Sequence, residues 1–166
     1  MTAEPSDKER TTAACQSKQV ESKYDRFSET TLVTLKPLVL LDAPGNQLEL
    51  HVKYDPQKQV HSDVIPMQAS LEFISTSPTR NFGYETRLFF IVDGVRLRPM
   101  PAASGSNFGQ GATVFAGATF NTLQQITRGK HVEMKLGDVE LVLTPEMLQA
   151  LHDFTECAMS TSGSRR

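Results

Sequence analysis

The chain offers few residues whose types and spacing suit catalysis or metal binding. None of its four histidines pairs at i+2 or i+4 with another ligand in a metal motif: His51, His61, His131 and His152. Only His61-Ser62-Asp63 brings a base, a hydroxyl and an acid together in the sequence. A catalytic triad requires convergence in space rather than adjacency in the chain, so this cluster is weak evidence for an enzyme. We therefore predict no catalytic residue, no metal site and no cofactor.

The two cysteines, Cys15 and Cys157, stand near opposite ends of the chain and outside any CxxC or Cys/His cluster. Their spacing does not match a zinc or redox motif. Because Cys15 falls in a highly charged segment that we expect to be disordered, we predict two free thiols. A Cys15–Cys157 disulfide is the alternative.

The best candidate for a binding site is a hairpin around Asp93-Gly94. This dipeptide lies between the apolar runs Thr86–Val92 and Val95–Met100, and it predicts a two-residue turn because such turns need positive φ. Counting outward from the turn predicts the core pairs Val92/Val95, Phe90/Leu97 and Leu88/Pro99. The opposite face then carries Ile91 with Arg96, Phe89 with Arg98, and Arg87 with Met100.

Three arginines and an aromatic ring share that opposite face: Arg87, Arg96, Arg98 and Phe89. Guanidinium groups bind carboxylates and phosphates through two parallel hydrogen bonds, so the face suits a small anionic ligand or an acidic protein partner. Phe82, Tyr84 and Phe108 are predicted to add exposed aromatic contacts. In the purely structural interpretation, the arginine stems cover apolar neighbours and Arg98 forms a cation–π pair with Phe89.

Period-2 alternation and frequent turn residues from Thr30 onward indicate a mainly β fold. Besides the Asp93-Gly94 hairpin, the pattern predicts strands at Thr30–Leu35, Leu38–Asp42, Gln47–Tyr54 and Ile65–Ser75. A second two-residue turn, Gly137-Asp138, joins the predicted strands His131–Leu136 and Val139–Leu143. Lys135 and Glu140 form a cross-strand charge pair on the exposed face of this second hairpin.

Two helices are predicted late in the chain. Asn121 caps a short helix near 121–128, and Thr144 caps a C-terminal helix over 145–158. Leu151 lies on the apolar stripe of the second helix. Together these elements predict an antiparallel β-sandwich or a partly open barrel of seven to nine strands with a C-terminal helix.

Composition divides the chain into a disordered leader over 1–29, a single β-rich domain over 30–158 and a disordered tail over 159–166. Residues 1–29 hold eleven charged residues and too few apolar side chains to offset their ordering entropy. The net charge of −2 argues against a nucleic-acid partner. The sequence also has no apolar run of about 18 residues that would form a transmembrane helix.

Two stretches, Tyr24–Val33 and Leu136–Leu143, together with the Asp93-Gly94 hairpin, resemble a group of uncharacterised bacterial proteins of mostly β structure. Members of that group are often exported or lipid-anchored, with a tether between a cysteine and the Tyr-Asp-x-Phe start. Cys15 stands at a suitable distance for such a tether. The resemblance implies no activity and assigns no functional residue.

Charged residues stand just upstream of Cys15, where a signal peptide would need an apolar region. The sequence as given therefore predicts a cytoplasmic protein, and a periplasmic or envelope-associated location is the alternative that the resemblance favours.

These observations favour a non-enzymatic β-sandwich module that binds a protein or a small anionic ligand, with the bacterial cell envelope as a candidate setting. One alternative is a hydrolase-like enzyme whose site combines His61, Asp63 or His131 with loop hydroxyls. Another alternative is a carrier that holds a small apolar ligand inside a closed barrel.

Overall fold

The computed structural model describes residues 15–59, 67–76, 82, 86–106 and 112–162. Within these ranges the chain forms ten strands, two helices and a short 3-10 turn. The strands are β1 (Val20–Asp25), β2 (Thr30–Ala43), β3 (Asn46–Tyr54), β4 (Gln68–Ser75), β5 (Thr86–Val92), β6 (Val95–Arg96), β7 (Met100–Ser106), β8 (Ala112–Thr119), β9 (Val132–Leu136) and β10 (Val139–Val142). The helices are α1 (Phe120–Thr127) and α2 (Pro145–Ser162), and the 3-10 turn is Pro56–Lys58.

All described strands belong to one antiparallel sheet that curls into a half-barrel. Its strand order is β1-β2-β3-β4-β8-β7-β5-β9-β10, with β6 paired to β5. This arrangement confirms the mainly β class and agrees with a partly open barrel. The sandwich is not confirmed, because the described strands form a single sheet. The strands β1 and β10 lie at its two open ends.

Alternation along the strands gives the sheet a buried inner face and an exposed outer face. In β3, Leu48, Leu50, Val52 and Tyr54 are buried, while Lys53 between the last two is exposed. The neighbouring strands β2, β4 and β8 repeat this pattern, so their apolar side chains meet in one continuous core. Burial of this apolar surface is the main force that holds the sheet in its curl.

The two helices pack against each other, and α2 also packs against β1 and β2. The cap of α1 is Thr119 rather than the predicted Asn121, and its hydroxyl accepts a hydrogen bond from the Thr122 N–H at 3.2 Å. Thr144 caps α2 as predicted and accepts from the Met147 N–H at 3.2 Å. This helix continues to Ser162, so part of the tail expected to be disordered is helical.

The ordered fold begins well before Thr30, within the segment predicted to be a disordered leader. Residues Val20–Asp25 form β1, which pairs along its whole length with β2. Most of its side chains are exposed, so this strand buries little apolar area. Composition underestimated its order because backbone pairing with β2 satisfies its polar groups whatever the side chains are. Residues 1–14 lie outside the described part of the chain.

The prediction of two free thiols is wrong, because Cys15 and Cys157 form a disulfide. The Cα atoms of the two residues lie 4.8 Å apart, and Cys157 is fully buried on α2. The bond fixes the chain just before β1 against this helix. It also occupies the Cys15 sulfur, which is then not free to carry a lipid.

The predicted strands Thr30–Leu35 and Leu38–Asp42 are one continuous strand, β2. Its register with β3 shifts between Leu35 and Leu38. Pro37, which has no N–H to donate, lies within this irregularity, where the ladder does not require one. The sequence break at Pro37 therefore marks a bulge rather than the end of a strand.

Candidate functional site

The Asp93-Gly94 turn forms as predicted and orients the candidate site. Both of its residues have positive φ, 49° at Asp93 and 83° at Gly94. Ile91 pairs with Arg96, as counted from the turn. The Asp93 carboxylate also accepts hydrogen bonds from the backbone N–H groups of Lys130 at 3.0 Å and His131 at 2.8 Å. These bonds fix the turn against the loop that leads into β9.

Beyond Leu97 the register of the hairpin differs from the predicted one. Leu88 pairs with Met100, whereas counting from the turn had placed Pro99 there and had paired Arg87 with Met100. One extra residue in the 97–99 segment turns Met100 toward the core, where it is partly buried. Arg98 falls in this unpaired segment and is exposed.

The cation–π contact predicted for Phe89 involves a different arginine. The Arg96 guanidinium carbon lies 5.3 Å from the centre of the Phe89 ring, which is within the range of an attractive contact. Arg98 does not take this position because the register shift moves it out of the strand pairing. Arg96 is therefore the arginine that the fold places over the aromatic ring.

The strand next to β5 is β9, which lies about forty residues further along the chain. Phe89 pairs with Lys135, and Ile91 pairs with Glu133. In turn, β10 adds Glu140 beside Lys135 and Val142 beside Glu133. We call the resulting concavity of about 460 Å³ the edge groove; it is lined by Phe89, Ile91, Arg96, Glu133, Met134, Lys135, Glu140, Leu141 and Val142.

The edge groove carries both signs of charge over an apolar floor. Phe89 and Ile91 are half-buried, and Arg96 covers one side of them. Lys135 and Glu140 form the predicted ion pair, with 3.4 Å between Nζ and Oε1. Arg96 and Lys135 balance Glu133 and Glu140, so the lining has no net charge. Arg87 and Arg98 are exposed and lie outside this lining.

The outer side of β10 is an open sheet edge. The pairs Val139/Leu136 and Leu143/Val132 belong to the hydrogen-bonded positions of the β9–β10 ladder, and the Leu143 N–H donates to the Val132 carbonyl at 2.9 Å. Ladder positions alternate, so Glu140 directs its N–H and C=O away from β9, and Val142 does the same. Within the described residues, these outward groups have no backbone partner.

Among the predicted aromatic contacts, Phe82 is buried rather than exposed. Only 7% of its surface is accessible, and it belongs to the core cluster. Its ring lies against Gly137, where an added Cβ would come within 3.0 Å of a Phe82 ring carbon. Burying a large apolar side chain in the core lowers the free energy of the folded state more than exposing it to water does. Tyr84 and Phe108 lie outside the described residues.

The described histidines lie on separate elements. His51 is on β3 and contacts Glu49 with 3.1 Å between Nε2 and Oε2. His131 stands in the loop before β9, and His152 is exposed on α2. Among the residues that the structure describes, no group of three or more His, Cys, Asp or Glu side chains could hold a metal ion. His61 and Asp63 lie outside these residues.

Sequence reasoning missed the acidic half of the groove. The Lys135–Glu140 pair was predicted within its own hairpin, yet nothing in the residue pattern indicated that this hairpin would pair with β5. Glu133 and Val142 likewise joined the site only through the long-range pairing of β9 with β5. Strand order across forty residues is not encoded in local periodicity, so no local signal could have found them.

No protein-family model, curated protein or solved structure matches this chain. In the described part of the chain, neither helix is both long and apolar enough to cross a membrane.

Proposed function

We propose that this chain is a non-enzymatic binding module whose edge groove takes an extended segment of a protein partner. The observation that carries the proposal is the coincidence of two features at one place. The groove has an apolar floor of Phe89 and Ile91 at one end and the open strand edge of β10 at the other. Extended peptides bind proteins by adding a strand to such an edge, with neighbouring side-chain sites supplying specificity.

The backbone of β10 supplies the hydrogen bonds for this mode of binding. Glu140 and Val142 each offer one outward N–H and one outward C=O, which suits a short antiparallel or parallel addition. An added strand lies about 5 Å from β10, so its side chains continue the rows that cross the groove. One row ends at Val142 and the other at Glu140. The partner segment should therefore present an apolar residue beside Val142 and a basic residue beside Glu140.

Charge distinguishes a protein segment from a small anion. A site for a phosphate or carboxylate gathers several uncompensated cations, whereas the cations of this groove are balanced by Glu133 and Glu140. Two of the three arginines expected to bind an anion, Arg87 and Arg98, stand outside the groove. Balanced charge over an apolar floor is better suited to a polypeptide that carries both apolar and charged side chains.

The two alternative functions, a carrier of an apolar ligand and a hydrolase-like enzyme, receive less support. The inner side of the half-barrel, where a carrier would hold an apolar ligand, is filled by core side chains such as Phe73, Leu123 and Phe154. For the hydrolase, the described histidines stand on separate elements, and His61 and Asp63 are outside the described residues.

The cell envelope is the setting that we propose for this module. A structural disulfide such as Cys15–Cys157 persists in oxidising compartments and is rare in the cytosol. The resemblance to exported bacterial proteins points in the same direction. Because the Cys15 sulfur is in the disulfide, the proposal does not include a lipid on this residue.

The function is tested by selecting binders from a displayed library of random peptides and measuring their affinity for two variants. Glu140→Lys reverses the charge beside which the partner's basic residue lies and should weaken binding about tenfold or more. Arg98→Ala removes an exposed arginine outside the groove and should leave binding unchanged. Melting temperatures should match the wild type for both variants, because neither side chain is buried.

Enriched peptides should carry an apolar and a basic residue two positions apart. The proposal is overturned if selection enriches no peptide, or if Glu140→Lys and Arg98→Ala bind the selected peptides equally. Selection of uniformly acidic peptides that lose affinity for Arg98→Ala but not for Glu140→Lys would instead support the anion-binding interpretation of the arginine face.

A further inference from the structure

We infer that the outer face of the sheet around Phe115 is a second binding site, for a neutral oligosaccharide. Phe115 points outward from β8, and 45% of its surface is exposed. It lies between Glu72 on β4 and Ala103 on β7. Two glycines are its small neighbours. A Cβ added to Gly105 would lie 3.5 Å from the ring, and Gly117 is on the same strand as Phe115. Small side chains around the ring leave its surface open to a ligand.

Two concavities of the outer face meet at this ring. One, of about 550 Å³, extends toward Pro101 and Ala103 on β7. The other, of about 470 Å³, extends toward His51 on β3 and Thr34 on β2. Phe115 lines both of them, so they form one trough across five strands. At about 4.8 Å between strands the trough is about 19 Å long, enough for about four sugar rings.

The side-chain amide of Gln68 lines the same trough as Phe115. The side chain of Gln59 accepts from the Gln68 N–H at 2.9 Å and donates to the Gln68 carbonyl at 3.0 Å. These two hydrogen bonds fix the backbone of Gln68. The Gln68 side chain lies over Gly117, where an added Cβ would collide with it. Within the described residues the Gln68 side-chain amide has no hydrogen-bond partner. It can therefore donate to and accept from a ligand hydroxyl.

The charges and the position in the sheet select the class of ligand. Lys53 and Lys58 balance Asp55 and Glu72 around the trough, so an anion or a nucleic acid gains no net attraction. The trough lies in the middle of the sheet, where the strands are paired on both sides, so a peptide cannot add as a strand. A neutral sugar uses what is present, because its C–H face packs on an aromatic ring and its hydroxyls bond amides and carboxylates.

The test is a titration of ¹⁵N-labelled protein with maltohexaose, cellohexaose and tetra-N-acetylchitotetraose, each to about 5 mM, which detects dissociation constants into the millimolar range. At least one of them should produce saturable shifts at the Gly117 amide and the Gln68 side-chain amide. The resonances of Glu140 and Val142 should stay in place, which separates this site from the edge groove. Shifts confined to Glu140 and Val142, or no shifts with any of the three sugars, would overturn the inference.

Variants locate the binding surface. Phe115→Ala should weaken sugar binding about tenfold or more, and Phe115→Tyr should restore it. Phe27→Ala removes a phenylalanine that is 87% exposed elsewhere on the molecule and should bind like the wild type. Equal binding by Phe115→Ala and Phe27→Ala would count against the site, and their melting temperatures verify that both remain folded. Because the peptide experiments concern the edge groove, failure of one proposal does not affect the other.

Discussion

A single carboxylate organises the turn between β1 and β2. Asp25 accepts hydrogen bonds from the Phe27 N–H at 2.9 Å and from the Ser28 hydroxyl at 3.0 Å. Both bonds favour the ionised carboxylate, and the one from the Phe27 N–H has the larger effect. They hold the pKa of Asp25 below its ordinary value of 3.8. The turn that carries the most exposed aromatic ring of the described chain is thus fixed by charge-assisted hydrogen bonds rather than by packing.

The lowered pKa makes this turn sensitive to acid. Because folding lowers the pKa, the stabilisation from Asp25 is fully present above the ordinary value and is lost as the pH falls through the lowered value. We expect the Phe27 amide proton, followed by NMR, to titrate with a midpoint below 3.8. The transition should vanish in Asp25→Asn and persist in Asp138→Asn, which changes another exposed turn carboxylate. A midpoint above 3.8 would contradict the assignment.

Among the elements, α2 contributes the largest helical part of the core. Its buried face includes Leu148, Leu151 and Phe154, which recur at the three- and four-residue spacing of one helix side. Thr144 at its start and the disulfide at Cys157 hold the helix near both ends. Its packing against β1 and β2 covers the inner face close to an open end of the sheet.

Truncation within α2 measures this contribution. Leu151→Ala should lower the free energy of unfolding by about 2–5 kcal/mol, because the side chain is buried and leaves a cavity. His152→Ala, at the exposed neighbouring position, should change it by less than about 0.5 kcal/mol. Urea unfolding followed by circular dichroism gives both values. A loss below about 1 kcal/mol for Leu151→Ala would mean that the helix is not packed as described.

The strands and turns also show which parts of the fold and the candidate site can be predicted from local sequence patterns. Both two-residue hairpins were predicted because Asp93-Gly94 and Gly137-Asp138 are typical of such turns, and Asp93, Gly94 and Gly137 adopt the positive φ that few other residues tolerate. The extra residue in the 97–99 segment could not be predicted, since it depends on where β7 meets β8. Half of the candidate site followed from the first hairpin. Its acidic half depended on the pairing of β5 with β9, which is set by the packing of the whole sheet.

For the whole molecule, the disulfide is the strongest single constraint. It joins residues 142 positions apart and fixes the start of the ordered chain to its last helix. Cross-linking so distant a pair restricts the unfolded chain far more than the folded one. The short, mostly exposed β1 benefits most, because it has little apolar burial of its own.

Cys15→Ser should therefore lower the free energy of unfolding by about 2–5 kcal/mol. Dithiothreitol should lower the stability of the wild type by the same amount and leave Cys15→Ser unaffected. Denaturant unfolding with and without reductant checks both expectations, and an effect of reductant on the variant would contradict them. In the proposed oxidising setting, the protein taken from its native cells should show no thiol that can be alkylated before reduction.

The same bond also determines how the molecule responds to mechanical force. Because it closes most of the chain into a covalent ring, a pull on the two termini passes through the sulfur atoms and bypasses the strands. The half-barrel then carries no tension, and only the segments outside the ring can extend. Once the bond is reduced, the same pull loads β1 and β2 directly and can peel the sheet open from that end.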